Sequence, residues 1–192
     1  MAASAEVAVA SAVEGLPVAG DRHGSTWGKI RRVWRHRLAS ERQVVATFDA
    51  AALARIEEAI AGGERRHRGE IRFAVEGDLD LYCLWAGMTP RERALQVFAE
   101  QGVWDTEENT GVLIYLLWAD HAVEIVADRV AHRCLPAERW QEICSRVAQA
   151  CRDGRHVEGV LSAVQAVNDA LAAAVPALAE NQDELPNRSI LL

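Results

Sequence analysis

The sequence predicts an α/β fold, a small mixed β-sheet flanked by helices on both faces in a three-layer sandwich. Three observations carry this. "GEIRFAVEG" (69–77) alternates, putting Ile71, Phe73 and Val75 on one face, as a strand does. "GVLIYLLW" (111–118) is a short continuous apolar run, the pattern of a strand covered on both faces. Between them "TPRERALQVFAEQG" (89–102) reads as a helix, with Thr89 as its cap, Pro90 at its first position, and Ala94, Leu95 and Phe98 facing inward. If the two strands are parallel, that helix makes a right-handed crossover.

Taken in order, residues 1–26 are rich in small residues and lack an amphipathic period, so a disordered N-terminal extension is expected. Residues 27–42 hold a basic amphipathic helix. In "WGKIRRVWRHRL" Trp27, Ile30, Val33, Trp34 and Leu38 fall at helical spacing among Lys29, Arg31, Arg32, Arg35 and Arg37. Two accounts fit: the apolar stripe packs on the domain, or residues 27–38 touch a membrane surface as a peripheral contact. The main domain is expected over 45–175. Asp49 caps a helix whose buried stripe is Leu53, Ile56 and Ile60, with Phe48 and Leu53 as a hydrophobic staple. "AVEIVAD" (122–128) is a further strand, joined to the preceding one by a short turn at Asp120 and His121, which predicts an antiparallel hairpin. Two long helices follow, with stripes Trp140, Ile143, Cys144, Val147, Cys151 and Val157, Val160, Leu161, Val164, Val167, Leu171. Residues 176–192 read as a flexible tail.

Composition narrows the function classes. The chain has 192 residues, half of them hydrophobic, and a net charge of −7, which gives a nucleic-acid partner no support. No apolar run is long enough to span a bilayer. The N-terminus lacks a basic segment and carries Glu6 and Glu14, against a signal peptide. Cys83, Cys134, Cys144 and Cys151 form no CxxC pair, so reduced thiols in a cytoplasmic protein are expected. There is no P-loop, no G-x-S-x-G and no H-E-x-x-H, and no organic cofactor is expected.

The stretch "WDTEENTGVLI" gathers Asp105, Glu107, Glu108 and Asn109 directly before a buried strand. The predicted topology brings Glu70 and Asp128 to the same sheet edge. Oxygen ligands of this kind suit a calcium or magnesium ion, although the spacing is not that of an EF-hand. The alternative is local turn chemistry with the glutamates facing water. Arg65, Arg66, Arg68 and Arg129 fall near this edge, where they either hold a phosphate or balance the carboxylates. His67 and His132 read as ordinary surface histidines. Trp85, Trp104, Trp118 and Trp140 read as core or interface anchors.

At these residues the chain resembles the TPM domain family. "RERALQVFAEQGVWDTEENTGVLIYLLWADHAVEIVADR" is similar to the helix, acidic loop and hairpin of that domain, and "LARIEEAIAGGERRHRGEIRFAVE" to its first helix and strand. The spacing of Trp140, Ile143, Ala150 and Gly154 resembles its later helical part. The resemblance implies an α/β sandwich and a divalent-cation site on Asp105, Glu107, Glu108, Asn109 and Asp128. It also implies an acid phosphatase activity in some members, in which a carboxylate such as Asp105 or Glu108 would orient the attacking water. The compact soluble bacterial subgroup, whose chains start near Trp27, is the nearest pattern. A protein partner is compatible with it, and a binding or interaction module is the function expected first. Two departures stand out. Val130 replaces the glycine of "ADRGI", which puts the local backbone and ligation by Asp128 in question. Thr110 replaces the second asparagine of a doubled pair.

Overall fold

The computed structural model describes residues 8–13, 26–38, 41–177 and 185–192. The chain opens with strand β1 (Ala8–Val13), then helices α1 (Thr26–Leu38), α2 (Glu41–Thr47) and α3 (Ala50–Glu64). Strand β2 (Glu70–Glu76) leads into α4 (Leu81–Ala86) and α5 (Pro90–Glu100). The hairpin β3 (Gly111–Leu117) and β4 (Ala122–Ala127) follows, then α6 (Arg129–Arg133), α7 (Ala137–Arg152), α8 (His156–Ala174) and the short β5 (Ile190–Leu191). Local chemistry sets several of these starts. The Asp49 side chain accepts from the Ala52 N–H at the head of α3. Thr89 and Glu92 form a capping box ahead of α5, satisfying two donors the helix leaves orphaned.

The strands form one mixed sheet in the order β1-β4-β3-β2-β5. β2 and β3 are parallel, with Glu70 opposite Gly111, and β3 and β4 are antiparallel, with Val112 opposite Ala127. Strand alternation then sends side chains to two separate cores. Ile71, Phe73, Val75, Val112, Ile114, Leu116, Val123 and Ile125 pack with α3, α7 and α8. Ala74, Leu113, Tyr115, Leu117 and Val126 pack with Leu84 of α4 and Ala94, Val97 and Phe98 of α5. The expected three-layer sandwich is therefore the observed one. Among the described residues no helix is long and apolar enough to cross a membrane.

Both ends of the chain depart from the expectation. Residues 1–7 and 14–25 lie outside the described residues, but Ala8–Val13 pair antiparallel with β4. Pairing there gives the backbone donors and acceptors on the outer side of β4 the partners that buried groups require. The tail, expected to be loose, crosses the far edge of the sheet. The Leu192 N–H donates to the Val75 carbonyl (3.0 Å), and the Gly77 N–H to the Leu192 carbonyl (3.3 Å). The Ser189 N–H donates to Glu57 Oε1 (2.8 Å). Residues 178–184, part of the same expectation, lie outside the described residues.

His67 is also not the surface histidine expected, since it is fully buried. Its Nδ1 accepts from the Gly69 N–H (3.2 Å), so the ring proton sits on Nε2 and donates to Asn168 Oδ1 (2.9 Å). Asn168 in turn donates to the Ala59 carbonyl (3.1 Å), tying α3 to α8. Burial pushes the His67 pKa below its ordinary value, which keeps the ring neutral.

Candidate functional site

One end of the sheet gathers the start of β2, the start of β3 and the end of β4. The Asp128 N–H donates to the Gly111 carbonyl (2.9 Å), and the Val130 N–H to the Asn109 carbonyl (3.0 Å), so the chain beyond β4 is fastened to the loop before β3. That loop holds its own shape. Asp105 N–H reaches the Gly102 carbonyl (2.9 Å), and Asn109 N–H the Thr106 carbonyl (3.2 Å). Thr110 N–H bonds Thr106 Oγ1, and the Thr110 hydroxyl bonds the Arg68 carbonyl, each at 3.0 Å. Gly111 permits the close return: a Cβ there would stand 1.9 Å from the Val103 carbonyl oxygen. Asn109 takes the left-handed conformation, φ 57°, that asparagine tolerates better than most residues.

This helix, acidic loop and hairpin sit inside a stretch, residues 43–170, that matches the model of the TPM domain. The chain belongs to the TPM domain family. The NMR structure of the BA42 protein from the psychrophilic bacterium Bizionia argentinensis is similar to it, with 25% identity and a TM-score of 0.62, over 74% of this chain and 93% of that one. No curated protein matches the chain.

In this TPM domain the five residues singled out as cation ligands have separate surroundings. Asp105 and Glu107 are exposed. Glu108 is paired with Arg68, which makes Arg68 a balancing charge. Asn109 supplies the turn, and its carbonyl is taken by Val130. Asp128 is buried and caps α6, accepting from the Arg129 N–H (2.6 Å). Glu70, at the head of β2, is buried and accepts from the Leu185 N–H of the tail (3.4 Å). Among the described residues no three His, Cys, Asp or Glu side chains are placed so as to hold a metal ion. Val130, in place of the family's glycine, is a residue of α6 with no left-handed φ, so the position asks nothing that valine resists.

Trp104 is the other feature of this loop. It is 51% exposed beside Asp105, while its neighbour Val103 is fully buried. Of the remaining tryptophans singled out, Trp140 is core, Trp118 stacks on His156 with centroids 4.6 Å apart, and Trp85 is exposed.

The opposite end of the sheet holds a polar cluster that the sequence did not advertise. Asp120, in the β3–β4 turn, is buried. Arg32 of α1 grips it through Nε (2.9 Å) and Nη2 (2.6 Å), and sends Nη1 to the Met88 carbonyl (2.6 Å). Arg35 pairs with the same carboxylate, and His36 Nε2 lies 3.1 Å from it. His36 Nδ1 accepts from the Leu79 N–H (3.0 Å), which leaves the proton on the nitrogen facing Asp120. Burial alone would raise the Asp120 pKa. The contacts from His36 and Arg32 outweigh it and hold the carboxyl well below the ordinary carboxylate range. One signal was present in the sequence. Residues 26–40 carry five Lys and Arg and no carboxylate, so a helix docked there needs its acid from elsewhere.

Proposed function

We propose that this TPM domain is a binding module whose working surface is the loop end of the sheet. The observation that carries the proposal is Trp104, a half-exposed indole on a loop whose backbone is fixed by Thr106, Thr110 and Gly111. A large rigid aromatic flanked by exposed Asp105 and Glu107 is the kind of anchor that protein interfaces centre on. The partner would be a protein with an apolar pocket rimmed by cationic groups. A cytoplasmic setting is the one that four cysteines outside any disulfide fit.

Calcium or magnesium enters only as a weak ligand. Gathering Asp105, Glu107, Glu108, Asn109 and Asp128 on one ion would require Glu108 to leave Arg68 and Asp128 to leave the α6 N-terminus. Titration calorimetry on the whole chain is expected to show affinity no tighter than millimolar, and stronger binding in Arg68→Ala, where the competing cation is gone. Micromolar binding indifferent to Arg68→Ala would mean that the edge is already arranged for an ion, and the module would have to be recast around it. The alternative of a metal-assisted phosphatase needs Asp105 or Glu108 beside a held cation. The exposure of Asp105 and the Glu108–Arg68 pair do not support that arrangement.

A further inference from the structure

The basic helix was expected either to bury its apolar stripe or to offer it to lipid. It divides the stripe. Arg32, Val33 and His36 turn toward the domain, with Val33 against the second core and His36 buried. The other side presents Trp27 at 81% exposure, Trp34 at 63% and Leu38 at 74%. These positions are seven and four apart, so they line one helix face. Arg31, Arg35 and Arg37 are exposed beside them, and Arg35 keeps 43% of its side chain in solvent although it touches Asp120. Trp34 and Leu38 also line a shallow groove of about 430 Å³ with Arg31, Arg35, Gln43, Trp118, Ala119 and His121.

We infer that the outer face of α1 docks the protein reversibly on an anionic lipid bilayer. Charge complementarity selects the occupant. In a chain of net charge −7, residues 26–40 carry no carboxylate, and three arginines border the exposed indoles. Indole rings suit the headgroup boundary, where the ring body is apolar and its N–H stays hydrated. Arginines flanking them reach lipid phosphates while their stems lie along the surface. The Asp120 clamp supplies the other requirement: it fixes the helix by the opposite side, so no refolding is needed for Trp27 and Trp34 to face lipid. One short helix face gives peripheral binding and not anchorage. The inference is independent of the Trp104 loop, which lies at the other end of the sheet.

Sedimentation of the full chain with vesicles tests it, using phosphatidylcholine alone and phosphatidylcholine with phosphatidylglycerol, at low and high salt. The expected result is binding to the anionic vesicles that falls with salt. Arg31→Ala should weaken partitioning by about fivefold, and Trp27→Ala with Trp34→Ala by at least on the order of tenfold. Arg139→Ala, which removes an exposed arginine of α7, should leave partitioning on vesicles unchanged and serves as the matched control. All these side chains are exposed, so each variant should keep the wild-type melting temperature. Failure to sediment at low salt would overturn the inference. So would equal binding to both vesicle types, or capture by a poly-glutamate peptide without capture by vesicles. A concentration-dependent dimer lost in Trp34→Ala, without vesicle binding, would assign the face to a second copy of the chain and overturn it as well.

Discussion

The two ends of the sheet treat their acidic residues in opposite ways. At the loop end Asp105, Glu107 and Glu108 crowd the sequence, yet the first two are exposed and the third, half-buried, pairs with Arg68. At the turn end a lone Asp120 is buried and meets Arg32, Arg35 and His36. The number of carboxylates in a stretch therefore says little about how strongly the fold uses them. Burial and the reach of cations from another element decide it. An exposed pair gains little over water, whereas a carboxylate taken out of water must be fully matched.

The loop end depends on backbone fit more than on its acids. Gly111→Ala is expected to cost about 3 kcal/mol, because the new Cβ would meet the Val103 carbonyl and not a movable side chain. Urea unfolding would measure it. A loss below that of an ordinary surface change would mean that the loop can lift away, and that its rigid presentation of Trp104 is not real.

The turn end should respond next. Asp120→Asn keeps the shape and removes the charge, leaving Arg32 and Arg35 with a neutral acceptor; a loss of about 2 kcal/mol is expected at neutral pH. The sign with pH follows from the lowered carboxyl. In the unfolded chain Asp120 takes up a proton near its ordinary value of 3.8, while the folded chain resists until lower pH. Its stabilisation is complete above that value and is lost as the pH falls below it. The gap between wild type and Asp120→Asn should therefore close in acid. A gap that stays constant down through that range would mean that the clamp acts by shape alone.

How much of this was legible in the sequence depends on the range of each interaction. The hairpin and the caps at Asp49 and Thr89 were readable because each rests on neighbours close in sequence, whereas the parallel pairing of β2 and β3, 41 residues apart at Glu70 and Gly111, entered the reading only as a condition. The convergence of Glu70, Gly111 and Asp128 followed from topology, since parallel and antiparallel pairing fix which strand ends meet. α4 went unassigned although Asp80 and Gly87 mark both its ends, because its Leu81, Tyr82 and Trp85 face outward and give no inward stripe. The partners of His67 and Asp120 were out of reach. Asn168 is 101 residues from His67 and Arg32 is 88 from Asp120, and neither spacing leaves a local pattern. β1 and β5 were missed for a related reason, since an edge strand is called for by the unpaired side of its neighbour.

The smallest effects test the difference within the loop end itself. Asp105 and Asp128 were both read as ligands for one ion, but only Asp128 is buried and bonded to a backbone N–H, at the head of α6. Removing a capping carboxylate leaves a helix donor without its acceptor, so Asp128→Ala should lower stability by about 1 kcal/mol. Asp105 is exposed, and Asp105→Ala should stay within about 0.5 kcal/mol of wild type. Both are to be measured in metal-free buffer and again with millimolar calcium. If the acids act as the fold places them, the difference between the variants is the same in both buffers. If calcium stabilises the wild type and this gain disappears equally in both variants, the two carboxylates share an ion after all, and the capping role of Asp128 is secondary to it.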